Sequence, residues 1–131
     1  MSHPRMFDDD DEVLARVRAV ALAFPDAAEK VSHGHPAFFT KKVFAYYGAS
    51  EKGEPGEEWV RHEQCLVVLP DDDDRRALLD DPRTFVPAYL GPSGWIAVDL
   101  GARTDWEEVR ELLDASYRRT APARSVAKLQ T

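Results

Sequence analysis

Lys30-Val-Ser-His-Gly-His-Pro-Ala-Phe-Phe-Thr-Lys-Lys-Val-Phe-Ala-Tyr-Tyr-Gly48 is the stretch that decides the fold. It holds two aromatic, β-prone segments, Ala37–Phe39 and Val43–Tyr47, separated by Thr40, Lys41 and Lys42. Such segments on either side of a short polar connection predict two hairpin strands with the lysines at the bend. Just upstream, Gly34 and Pro36 mark a backbone that turns.

Downstream, Ala49 to Glu57 is polar and rich in turn formers, a loop before the next strand. Trp59 to Leu69 is long and β-prone, and its apolar end Cys65-Leu-Val-Val-Leu69 suits a central strand covered by helices. Pro70 stops it, and Asp71-Asp-Asp-Asp74 opens a short helix that Asp81-Pro82 closes. From Arg83 to Pro92 turn formers predict a surface segment with Phe85, Val86 and Tyr89 packed inward, and Gly94–Leu100 is the last strand. Thr104-Asp-Trp-Glu107 has capping-box form, starting a helix with Trp106, Val109, Leu112, Leu113 and Tyr117 on one side.

Upstream, Val13, Leu14, Val17, Val20, Ala21 and Phe24 recur at helical period behind Asp8–Glu12, whose acids suit a helix start. The order helix, strands, helix, strand, helix predicts an α+β two-layer sandwich, an antiparallel sheet with helices on one face.

The totals bound the function. The 131 residues fit one domain, expected to span 1–131 with short flexible ends at 1–7 and 121–131. With no run of about 18 apolar residues and no apolar signal-peptide centre near the N-terminus, the expectation is a cytoplasmic protein off the membrane. The single Cys65 excludes an internal disulfide. A net charge of −7 argues against general nucleic-acid binding, since phosphate contact relies on Lys and Arg. The positive charge is local: Ala115 to Thr131 has no acid but carries Arg118, Arg119, Arg124 and Lys128.

The candidates for chemistry are few. His33 and His35 would share a face if both lay in a strand, and with His62, Glu63 and Cys65 would approach a metal site. Exposed or structural roles are the commoner outcome for such a pair, so they stand as weak metal candidates. Cys65 reads as a buried, inert thiol. The aspartate runs read as helix caps, lacking the alternating pattern of a calcium loop. Lys41, Lys42, Arg61, Arg118, Arg119 and Arg124 are the candidates for an anion or DNA surface. His35, Phe38 and Trp95 are the candidates for a small-ligand or protein-binding pocket. The chain contains none of the phosphate-loop, dinucleotide, zinc-protease or serine-hydrolase motifs, so no catalytic residue and no cofactor is expected. A monomer or weak dimer is expected.

Taken together, Ser32-x-Gly34-x-Pro36-x-Phe38, Lys42-Val-Phe-Ala45, Phe85-x-Pro87-x-Tyr89, Gly94-Trp95-Ile-x-Val-x-Leu100 and Asp105-Trp106…Ser116-Tyr117-Arg118 resemble the MmcQ/YjbR family, over about Leu14 to Ala123. The resemblance implies a CyaY-like (frataxin-like) α+β fold. It also implies a non-enzymatic bacterial protein of a kind generally called DNA-binding, through hairpins that grip the duplex. On this chain it points to Lys42 with its hairpin neighbours and to Arg118. The frataxin-like fold implies by analogy a metal-handling alternative through the acids of Asp8–Glu12.

Overall fold

A computed structural model describes residues 5–129. Among these, six strands form one sheet: β1 (Ala28–Ser32), β2 (His35–Phe39), β3 (Val43–Glu51), β4 (Val60–Val68), β5 (Thr84–Phe85) and β6 (Ile96–Asp99). The sheet order is β1-β2-β3-β4-β6-β5 and every pair is antiparallel. The helices are α1 (Glu12–Ala21), α2 (Asp72–Leu79), α3 (Trp106–Thr120) and α4 (Ala123–Val126). The α+β class and the antiparallel sheet are as expected.

Strand alternation divides the core in two. Leu66 and Val68 of β4 and Ile96 and Val98 of β6 face the helices, meeting Leu14, Val17 and Ala21 of α1 and Val109, Leu113 and Tyr117 of α3. Their neighbours Cys65, Val67 and Ala97 point the other way and pack with Ala49, Phe85, Tyr46, Leu90 and Trp95. The segment after β5 covers that second face. It crosses to the far side of β3, where Ala88 N–H donates to Ser50 O at 2.8 Å and Pro87 bridges Glu51.

The helix starts follow their charges. Asp11 caps α1, accepting from Val13 and Leu14 N–H, and Asp71 caps α2, accepting from Asp74 N–H at 2.8 Å. Arg18 ties α1 to β1 by a two-pronged pair with Glu29, its Nε 2.9 Å from one carboxylate oxygen and its terminal nitrogen 2.9 Å from the other.

Several expectations need correction. The expected cap Thr104 instead accepts from Gly101 N–H at 2.7 Å, and Asp105 caps α3. Val86 and Tyr89 are exposed rather than packed inward; only Phe85 of the three is buried. β1 and β5 were not foreseen, because β1 is a polar edge strand and β5 has two residues. Of the expected flexible ends, 1–4 and 130–131 lie outside the described residues. Within the described part, Met6 N–H donates to Gly34 O at 2.8 Å and α4 forms beyond α3.

His33 and Gly34 are the turn joining β1 to β2, with φ of 51° and 87° and Ser32 paired to His35 across it. Two successive positive φ values match the tight hairpin turns that follow the twist of a sheet. His33 is therefore a turn residue and His35 a strand residue, and the shared strand face imagined for the pair does not exist.

Candidate functional site

The cationic candidates separate into two groups. Lys41 and Lys42 are exposed in the turn between β2 and β3. The C-terminal half of α3 is bolted to the same end of the sheet by Ser116, which is fully buried. Its hydroxyl donates to Phe44 O at 2.5 Å, one residue into β3, and accepts from Leu69 N–H at 2.9 Å, just past β4. One turn on, the Arg119 guanidinium donates to Pro70 O. Arg118 is exposed and paired to Asp114 at 2.9 Å.

The chain beyond α3 is drawn to that end as well. Tyr117 donates to Pro25 O at 2.7 Å, Ser125 donates to Asp26 at 2.8 Å, and Lys128 pairs with Asp26 at 3.0 Å. Hydrogen bonds from Ser125 and then Lys128 hold the Asp26 carboxyl below its ordinary range. Arg124, exposed on α4, belongs to this neighbourhood. So does the second acidic run, since Asp71 directly follows Pro70. The first run lies toward the other end, where Asp11 accepts from Tyr47 at 2.6 Å and Gln64 at 3.0 Å.

Arg61 stands apart from this group. It pairs with Ser50, seven residues along β3 from Val43, roughly 23 Å at strand rise. Its guanidinium donates to Met6 O at 2.9 Å and lies 3.8 Å from Glu63.

The proposed pocket of His35, Phe38 and Trp95 does not assemble. Phe38 is fully buried in the helix-side core, whereas Trp95 packs on the opposite face against Tyr46, ring centres 5.4 Å apart. His35 lies over Gly48, and burial keeps its imidazole below the usual pKa. The clefts that do appear have acidic rims. One of about 570 Å³ is lined by Asp8, Asp11, Glu12, Val13, Glu63 and Gln64. Another of about 290 Å³ lies between α2 and α3.

Among the described residues no group of three or more His, Cys, Asp or Glu is placed to hold a metal ion. Cys65 is fully buried, and that burial, followed by the nearby Asp99 charge, pushes its thiol up to about 12. It is neither a thiolate ligand nor a nucleophile near neutral pH.

Two features escaped the sequence reading. His62 has Nδ1 2.8 Å from Asp99 and Nε2 3.2 Å from Glu51, and its ring stacks on Phe85 at 3.8 Å. It thereby clasps four strands together, but strand register had to be known to see it. Trp59 and Tyr89 form an exposed aromatic pair, and no pattern joined them. Ser116 did leave a signal, as a lone hydroxyl one position before Tyr117 on the apolar stripe of α3.

A single antiparallel sheet with helices packed against one face defines a small α+β protein. The chain belongs to the YjbR family, whose model matches residues 22–119. That span includes Lys41, Lys42, Arg61, Arg118 and Arg119 and leaves out Asp8–Glu12 and Arg124. No curated protein matches the chain. Among the described residues no helix is long and apolar enough to cross a membrane.

Proposed function

We propose that this YjbR-family chain is a binding protein rather than an enzyme. In this reading it contacts the DNA backbone with Lys41, Lys42, Arg118, Arg119 and Arg124. The observation that carries the reading is the anchoring of α3 on both β3 and β4 by Ser116, which brings α3's basic last turn to the end of the sheet that bears the lysine turn. Cations on a turn and a helix end can follow phosphates without reading bases, so the binding is sequence-tolerant. The net charge of −7 and the nearby Asp71–Asp74 run oppose it, which makes the complex weak, while counterion release at the phosphate contacts makes it salt-dependent. Arg61 is excluded from the set by its distance.

The test is a titration of a labelled duplex of about 20 base pairs across a salt series. If all five cations engage phosphates, log affinity falls against log salt with a slope near −4.5, from about 0.9 per phosphate. The Lys41→Ala/Lys42→Ala variant reduces the slope by about 2, and Arg61→Ala leaves it alone. Absence of duplex binding at low salt removes the proposal.

A further inference from the structure

Trp59 and Tyr89 come from different parts of the chain, the foot of β4 and the segment that crosses the second sheet face. Their ring centres are 5.5 Å apart and their planes are tilted by 57°. Both are open to solvent, Tyr89 at 85% and Trp59 at 43%, and Val60 and Val86 on the same two segments are exposed as well. Tyr89 keeps its outward position with φ of 68°, a conformation uncommon for a bulky residue. The loop that delivers Trp59 is acidic, carrying Glu54, Glu57 and Glu58 against the single ammonium of Lys52. The backbone of Glu57 and Glu58 is held close to Gly53, where an added Cβ would lie 2.5 Å from Glu58 O.

We infer that this aromatic pair with its carboxylate rim docks an arginine-bearing segment of a protein partner. A guanidinium can lie on an indole or phenol face while its N–H groups reach carboxylates, so both halves of the surface act on one group. The same rim disfavours nucleic acid, because a base stacked on Trp59 would bring its phosphate against the glutamates. The surface lies at the opposite end of β3 from the Lys41–Lys42 turn, so it does not depend on DNA contact.

The test uses a fluorescent decapeptide of alternating Arg and Gly, titrated by anisotropy at low salt against the full chain. Saturable binding is expected, and Trp59→Ala and Tyr89→Asn each weaken it by at least about threefold. Asn tolerates the positive φ, so that variant keeps the backbone while losing the ring. Glu57→Gln/Glu58→Gln weakens binding, whereas Asp72→Asn/Asp73→Asn, an equal charge change on α2, leaves it unchanged. The inference is overturned by no saturable binding, by equal effects of the two charge pairs, or by indifference to both aromatic substitutions. A concentration-dependent molar mass that Trp59→Ala abolishes overturns it in favour of a second copy. Peptide displacement by oligothymidylate, itself dependent on Trp59, overturns it in favour of single-stranded nucleic acid.

Discussion

Replacing Ser116 with Ala tests the joint that positions the C-terminal half of α3. The change removes one oxygen and creates almost no cavity, so its effect isolates the hydrogen bonds. Two backbone groups lose their partner: Phe44 C=O, in a fully buried residue, and Leu69 N–H, in a half-buried one. A buried polar group left unpaired costs about 1–3 kcal/mol. With water able to reach Leu69 in part, the expected loss is about 3 kcal/mol for the two together. For a chain of this length each kcal/mol shifts Tm by about 3–5 °C, giving a fall of roughly 10 °C. Urea unfolding gives the free energy directly, with an unchanged m-value showing that the unfolded state is not the cause. Thr120→Val is the matched control. That hydroxyl only donates back to Ser116 O at 2.9 Å within the same helix, so its removal costs under about 0.5 kcal/mol. If Ser116→Ala loses less than about 1 kcal/mol, the bridge is not what fixes α3 on the sheet, and the placement of Arg118 and Arg119 needs another cause.

Three further outcomes follow from the same geometry. Gly48→Ala places a Cβ 2.8 Å from His35 Nδ1 at φ of 88°, and the combined clash and strain cost about 2–4 kcal/mol in urea unfolding. Adding His35→Ala recovers the steric part only, and a neutral Gly48→Ala would show that the contact gives way freely. Tyr47→Phe removes the hydroxyl that donates to Asp11 at 2.6 Å, with a loss of about 1 kcal/mol at pH 7 because the carboxylate is only partly buried. Burial alone would raise the Asp11 carboxyl, but hydrogen bonds from Tyr47, Gln64 and the N–H groups of Leu14 and Val13 outweigh it and leave the pKa lowered. That stability is present above the unfolded carboxyl value of about 3.9 and is lost as pH falls through the folded one. The gap between wild type and Tyr47→Phe therefore narrows as pH falls below the unfolded carboxyl value, and a gap that stays constant rejects the linkage. Cys65, protonated and buried, reacts with a disulfide reagent at pH 8 at least about a hundredfold slower in the native state than in denaturant; equal rates would refute its burial.

What could be read from the chain was whatever a short window contains. The apolar stripes of α1 and α3, the aspartates at two helix starts and the strands around Phe44 and Leu66 each announce themselves within a dozen residues. What escaped depended on register. The sheet shifts register between Phe38 and Phe39 and again between Tyr47 and Ala49. Counting alternate residues therefore fails to place side chains across it, and Phe38 and Trp95 were assigned to one pocket though they lie on opposite faces. His33 and His35 looked like ligands because i and i+2 share a face in a strand, but a turn separates them. Arg61 and Lys42 were grouped by charge, while the antiparallel pairing of β3 and β4 carries them apart. In the other direction, Phe44 and Ser116 are 72 residues apart in sequence and in direct contact.

The antiparallel pairing of β3 with β4 gives the molecule two ends of different surface chemistry. At one, the turn before β3 carries Lys41 and Lys42, and the exit of β4 receives α3 with Arg119 on Pro70. At the other, the loop between the two strands carries Glu54, Glu57 and Glu58 beside Trp59. About 23 Å of strand lies between Val43 and the Ser50–Arg61 pair, roughly three Debye lengths at physiological salt. Charges that far apart are largely screened from one another where they are exposed. Screening therefore shields the lysine turn from the glutamate loop, though not from the Asp71–Asp74 run at its own end, and shields the glutamate loop from the cations of the far end. Net charge is consequently a poor guide to the partners of this fold. The informative quantity is the charge at each end of the β3–β4 hairpin, and substitutions at one end should leave binding at the other unchanged. Coupling between Lys42→Ala and Trp59→Ala in either binding assay would contradict that independence, because it would require a path through the hairpin that screened electrostatics does not supply.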